Sequence, residues 1–207
     1  MKLDADAVLW SAPESERASR PLLVLLHGYG SHEGDLFGLS PRLPLEPVIA
    51  SLRAPLRENG GNAWFSLGPE TVGNPDSELA NEAADAVLEW LDTLENTSVG
   101  LLGFSQGAAV ALQLLRRAPE RFDAVIALSG FVVAGTEPGD DVLRTTRPPV
   151  FWGRGTADRV IPAEGIDRTA QWLPTHATVT ERIYEDLGHS VSVAELADIN
   201  AFLLDAR

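Results

Sequence analysis

The sequence contains no cysteine. That absence removes disulfides, thiolate metal sites and a cysteine nucleophile at once. Long apolar runs are missing as well: none approaches the roughly 20 residues that a membrane-spanning helix needs. Basic residues are scarce, with 16 Lys and Arg against 30 Asp and Glu, a net charge of −14. So acidic a chain argues against nucleic acid and anionic membranes, both of which call for basic patches. Neither a nucleic-acid partner nor stable membrane association is expected. The opening MKLDADAVLW puts acids where a secretory leader has a basic region and an apolar stretch. The expected compartment is the cytoplasm.

What is present suits an ordinary globular protein. A length of 207 residues with 44% hydrophobic content fits one domain, 1–207, with a sizeable core. The run PLLVLL at 21–26 is continuously apolar, as in a strand buried on both faces. Further strands are predicted at 8–10, 48–52, 99–102, 124–128, 149–152 and 178–184. Helices are predicted at 33–39, 108–115, 162–173 and 193–204. Another begins at a Ser77 cap and carries Ala80, Ala83, Ala84, Val87, Leu88, Leu91 and Leu94 at helical spacing. Ser192 and Glu195 have the spacing of a capping box at the start of the last helix. Residues 56–76, rich in glycine, proline and asparagine, read as a long loop, and 136–141 as a short acidic one.

Strands and helices therefore alternate, which implies an α/β fold: a mostly parallel sheet with helices on both faces. Ligands bind such sheets at the carboxyl ends of the strands. The loops after residues 26, 52, 104, 128, 152 and 184 should share that edge.

One stretch on that edge carries chemistry. The strand at 99–102 runs into Gly103-Phe104-Ser105-Gln106-Gly107 and then a helix. Strand, sharp turn and helix with a serine at the apex is a nucleophile elbow, where small residues let strand and helix pack together. A serine hydroxyl needs a positioned base. Of the four histidines, His189 follows the last strand and comes after Ser105 in the chain, the order Ser…Asp/Glu…His. His27 precedes the nucleophile and abuts a glycine turn, so it reads as a structural hydrogen-bonding residue. The acid that orients the imidazole is Asp158, after the penultimate strand, in preference to Asp186, which shares the base's own loop. Two backbone N–H groups must receive the developing oxyanion. They are assigned to Gln106, directly after the nucleophile, and to Tyr29 in His27-Gly28-Tyr29-Gly30. His32, Glu33 and Asp35 lack a matching ligand cluster, so no metal site is expected, and no cofactor is implied.

Seven segments then carry a resemblance: LLHGYG (25–30), LRAP (52–55), NGGNAWF (59–65), GFSQG (103–107), LSG (128–130), GTADRVIP (155–162) and GHSVS (188–192). Together they resemble the α/β-hydrolase superfamily, and within it the phospholipase/carboxylesterase family that includes acyl-protein thioesterases. The resemblance implies an α/β-hydrolase fold and esterase or thioesterase chemistry, with Ser105, Asp158 and His189 as the triad. One departure is visible: many relatives carry His-Gly before the GTAD segment, where this chain has Arg154-Gly155.

Between Phe131 and Pro149 there is no room for a large helical cap. Trp64, Phe65, Leu67, Phe131, Val160, Ile161 and Val191 lie in loops on the catalytic edge and are the candidate acyl site. They suggest short to medium acyl chains. The expected partner is a small-molecule ester or thioester, with the chain acting as a monomer or homodimer.

Overall fold

The computed structural model describes residues 1–96 and 98–205. After a 3-10 turn at Ala5–Ala7 come a two-residue strand, β1 (Leu9–Trp10), and a single helical turn, α1 (Glu14–Arg17). Then follow β2 (Leu22–Leu26), α2 (Glu33–Phe37), β3 (Val48–Leu52), β4 (Leu56–Glu58), β5 (Gly61–Ala63) and α3 (Ser77–Leu91). The second half runs β6 (Val99–Phe104), α4 (Gln106–Arg117), β7 (Ala124–Leu128), α5 (Asp140–Thr146), β8 (Pro149–Gly155), α6 (Ala163–His176), β9 (Thr178–Tyr184) and α7 (Val193–Asp205).

Seven strands form one sheet in the order β1-β3-β2-β6-β7-β8-β9. All pairs are parallel except β1 with β3. The reason is visible in β2, whose five residues are all buried because both faces are covered. Leu22, Val24 and Leu26 pack with Ala83, Ala84 and Val87 of α3, with Leu112 and Leu115 of α4, and in the same core with Leu173 of α6. Leu23 and Leu25 face the other way, into a second cluster with Leu36 of α2 and Leu196, Ile199 and Phe202 of α7. Each fully buried leucine contributes about 2 kcal/mol, so this run alone fixes the middle of the sheet. The sheet's ends differ from its middle. One is the two-residue β1; the other, β9, is half-exposed, with Glu181 paired to Arg154 (3.3 Å) and Arg182 near Asp198 (3.8 Å).

The structure differs from the sequence reading in several places; β6 and β8, for example, run on to Phe104 and Gly155, past the predicted 102 and 152. The helix cap is Asp76 rather than Ser77: its carboxylate accepts the Glu78 N–H at 2.9 Å. Residues 56–76 are not wholly irregular. β4 and β5 form a hairpin whose turn, Asn59-Gly60, has φ of 50° and 77°, the left-handed backbone that Asn-Gly supports. The acidic 136–141 stretch leads into α5, which fills the segment before β8 where a cap would otherwise stand. α5 is tied down by the buried Arg116, whose guanidinium donates twice to Asp140 at 2.8 Å. Finally, α6 continues past 173 to His176, with Pro174 in its last turn.

Candidate active site

Ser105 sits between β6 and α4 with φ 53° and ψ −116°, a conformation L-residues adopt at a cost of about 1–3 kcal/mol. It is held there from both sides. Its N–H donates to Leu128 O at 2.8 Å, and its C=O accepts the first helical amides, Ala108 N–H and Ala109 N–H. The flanking glycines are needed for space. A Cβ on Gly107 would lie 1.9 Å from Leu26 O, and one on Gly103 would lie 2.2 Å from Gly107 O. The first turn of α4 is thus pressed against the ends of β2 and β6. The Gln106 N–H opens α4 and so has no carbonyl one turn earlier to bond within the helix.

Asp158 and His189 meet directly: Asp158 Oδ2 lies 2.8 Å from His189 Nδ1, and the Asp158 side chain is only 3% exposed. The other oxygen, Oδ1, accepts Val160 N–H at 2.8 Å and Ile161 N–H at 3.3 Å. These two amides aim the carboxylate at the imidazole. A carboxylate on Nδ1 leaves Nε2 as the free, basic nitrogen. The His189 ring packs on Phe104, centroids 4.8 Å apart, one residue before Ser105. Among the described residues no hydrogen bond joins the Ser105 hydroxyl to His189. Such bonds are often long until substrate is bound. Asp186 is exposed with φ 57°; its N–H donates to Thr156 Oγ1, and no contact with His189 is recorded among the described residues. The loop after His189 is pinned by the capping box. Glu195 N–H donates to Ser192 Oγ at 3.0 Å, and Ser192 N–H approaches Glu195 Oε2 at 3.4 Å.

The loop after β2 lies against the elbow: a Cβ on Gly28 would stand 3.5 Å from the Ser105 Cβ. His27 is buried, with Nδ1 2.8 Å from Gly28 O and Nε2 accepting Ala54 N–H at 3.1 Å. Burial lowers its pKa, which favours the neutral ring those bonds require. The Tyr29 hydroxyl donates to Glu58 Oε2 at 2.9 Å, and the Ser66 hydroxyl donates to the same carboxylate. Gly30 N–H donates to Asn62 O (2.9 Å), and Asn62 N–H donates to Ser31 O (2.7 Å). The sequence reading did not single out Glu58 or Asn62; the Asn59-Gly60 turn between them was the signal that a hairpin carries both.

The candidate acyl residues divide by exposure. Trp64 and Phe65 are corrected: both are 0% exposed, in the core, and cannot meet an acyl chain there. The Trp64 indole N–H donates to His27 O at 2.8 Å. Phe131 and Ile161 are also buried, at 2% and 6%. Leu67 and Val191 are half-buried and Val160 is exposed. Among the described residues no group of three His, Asp or Glu could hold a metal ion. No described helix is long and apolar enough to cross a membrane. A groove of about 540 Å³ opens at the opposite edge of the sheet, beside Pro21, Pro47, Asp123 and Pro149; none of the site residues lines it.

A family model described as phospholipase/carboxylesterase matches residues 11–206. Acyl-protein thioesterase 1 of Kluyveromyces lactis is 26% identical over 213 residues, covering 91% of this chain and 92% of the relative. Carboxylesterase SOBER1 of Arabidopsis thaliana is 27% identical, covering 89% and 90%. The crystal structure of a Bacillus cereus carboxylesterase superposes with TM-score 0.82 at 22% identity, covering 97% of this chain and 94% of that one.

Proposed function

The chain belongs to the phospholipase/carboxylesterase family and is a hydrolase; on that premise, we propose that it cleaves carboxylic esters or thioesters of short to medium acyl chains through an acyl-enzyme on Ser105. The observation that carries the reading is the 2.8 Å contact of Asp158 with His189 Nδ1, with the imidazole packed at a tilt against Phe104, the residue that precedes Ser105.

His189 Nε2 takes the Ser105 hydroxyl proton as Oγ attacks the acyl carbonyl. The tetrahedral oxyanion is received by the Tyr29 and Gln106 N–H groups, each such donor contributing about 10²–10³ in turnover. His189 then gives its proton to the departing alkoxide or thiolate. In the second half-reaction water loses a proton to Nε2, attacks the acyl-enzyme and releases the carboxylic acid as Ser105 recovers its proton. Asp158 stabilises the imidazolium in both halves and does not itself change protonation. We read 1–207 as one domain in which a single chain supplies every group the reaction uses.

The test is covalent labelling. A fluorophosphonate probe should modify Ser105 and no other serine, and Ser105→Ala should abolish both labelling and ester turnover. A wild-type protein that neither labels nor hydrolyses esters or thioesters would refute the reading and leave a non-catalytic binder.

A further inference from the structure

We infer that residues 58–66 form a brace that positions both oxyanion-hole amides, and that the Gln106 side chain is its central positioning group. The inference rests on the assignment of the Tyr29 and Gln106 N–H groups made above.

Those two amides belong to different elements, one to the loop after β2 and one to the start of α4. Their separation decides how well a tetrahedral oxyanion is held, and errors of an ångström cost about 10²-fold. The 58–66 segment is bonded to both. Toward α4, Trp64 N–H donates to Gln106 Oε1 at 2.9 Å, and Gln106 Nε2 donates to Phe65 O at 2.6 Å. Toward the β2 loop, the Trp64 indole donates to His27 O, Asn62 exchanges backbone bonds with Gly30 and Ser31, and Glu58 holds the Tyr29 hydroxyl. One short stretch of chain therefore fastens the residue bearing each amide.

Packing alone does not explain the glutamine. Gln106 is 2% exposed, and burying an amide is costly unless both its ends are bonded. A leucine would fill similar volume without that cost. The amide's contribution is directional: it presents a donor and an acceptor in one plane to the C=O and N–H of adjacent residues. A carboxylate cannot do this, because it would turn an oxygen toward Phe65 O with no proton between them. A neutral carboxylic acid can, because it restores one donor and one acceptor.

Gln106→Glu uses that difference. Its kcat on p-nitrophenyl butyrate should fall about 10–100-fold at about pH 9, above the raised range in which burial keeps a glutamate protonated, with KM within about two-fold. The inhibition constant of a trifluoromethyl ketone, which forms an oxyanion adduct on serine, should rise by the same factor as kcat/KM falls. The ratio of variant to wild-type kcat should climb as pH is lowered and the new carboxyl becomes protonated. Trp64→Phe, which keeps one aromatic six-membered ring and loses the pyrrole ring with its N–H donor, should show a smaller, several-fold loss with the same parallel between kcat/KM and ketone affinity. Unchanged kcat in both variants at about pH 9 would overturn the brace, as would a fall in kcat with undiminished ketone affinity. If Ser105→Ala keeps turnover, or the ketone fails to inhibit wild type, the site assignment itself has failed, before any brace variant is compared.

Discussion

At position 158 a carboxylate is gripped by two backbone amides so that one oxygen is left for His189. An asparagine there would keep the shape and could turn an N–H₂ toward Nδ1, forcing the imidazole into the tautomer that cannot accept the serine proton. Asp158→Asn should lower kcat by about four orders of magnitude, by analogy with the serine-protease triad. Asp186→Asn should change it less than two-fold, since that side chain is exposed and makes no hydrogen bond to the imidazole among the described residues. Steady-state rates on one activated ester decide between them, and a larger loss at Asp186 would move the role there. The sequence singles out Ser105, Asp158 and His189 because each follows a predicted strand, apolar for the first two and alternating (178–184) for the third, and parallel strands end at one edge of the sheet. Trp64 and Phe65 could not be sorted into core or surface, because an aromatic pair in a glycine-rich stretch looks the same either way. Glu58 was invisible for another reason: its partner Tyr29 is 29 residues away, and no periodicity links them.

The last helix shows what a short motif carries and what it omits. The Ser-x-x-Glu spacing at 192–195 gave the start of α7, and both capping bonds are present. It did not reveal that the Glu195 carboxyl is 0% exposed, with Oε1 facing Gly153 of β8 and lacking a hydrogen-bond partner among the described residues. Desolvation, aided by the nearby Asp198 charge and opposed by the Ser192 N–H, pushes the Glu195 pKa up to about 7. An unfolded glutamate titrates near 4.5. Between those values the folded chain holds a proton that the unfolded chain has released, so stability falls as pH rises through the window, by up to roughly 3 kcal/mol. Glu195→Gln should flatten that dependence: the drop in urea midpoint from pH 5 to pH 8 should be smaller than in wild type. An identical drop would mean Glu195 does not carry it. Elsewhere, the long buried strands were legible from their apolar runs. The β4–β5 hairpin was missed because three-residue strands give alternation too few positions to appear.

Over the whole molecule, the candidate chemistry gathers on the carboxyl edge of the sheet, and four of the seven apolar residues nominated there are buried. Trp64, Phe65, Phe131 and Ile161 are committed to the interior, while Leu67, Val160 and Val191 keep some exposure. Each added methylene of an acyl chain helps by about 0.8 kcal/mol only while it finds such surface. Across p-nitrophenyl esters from acetate to palmitate, kcat/KM should therefore peak at short to medium chains and then level or fall. A steady rise to palmitate would show a longer apolar channel than these residues supply.

The two ends of the sheet have a consequence for how the molecule behaves among its own copies. An open strand is a template on which another chain can add itself, and repetition of that step gives ribbons and fibrils. Here one end offers only two residues, and the other places Glu181 and Arg182 side by side, each with an opposite charge within its own chain. A newcomer would have to lay its backbone along that charged border and compete with pairs already made. The sheet of one chain has seven strands, and this border opposes the addition of an eighth from another copy. Concentrated solutions of the protein are expected to stay dispersed rather than polymerise along the strand direction of neighbouring molecules.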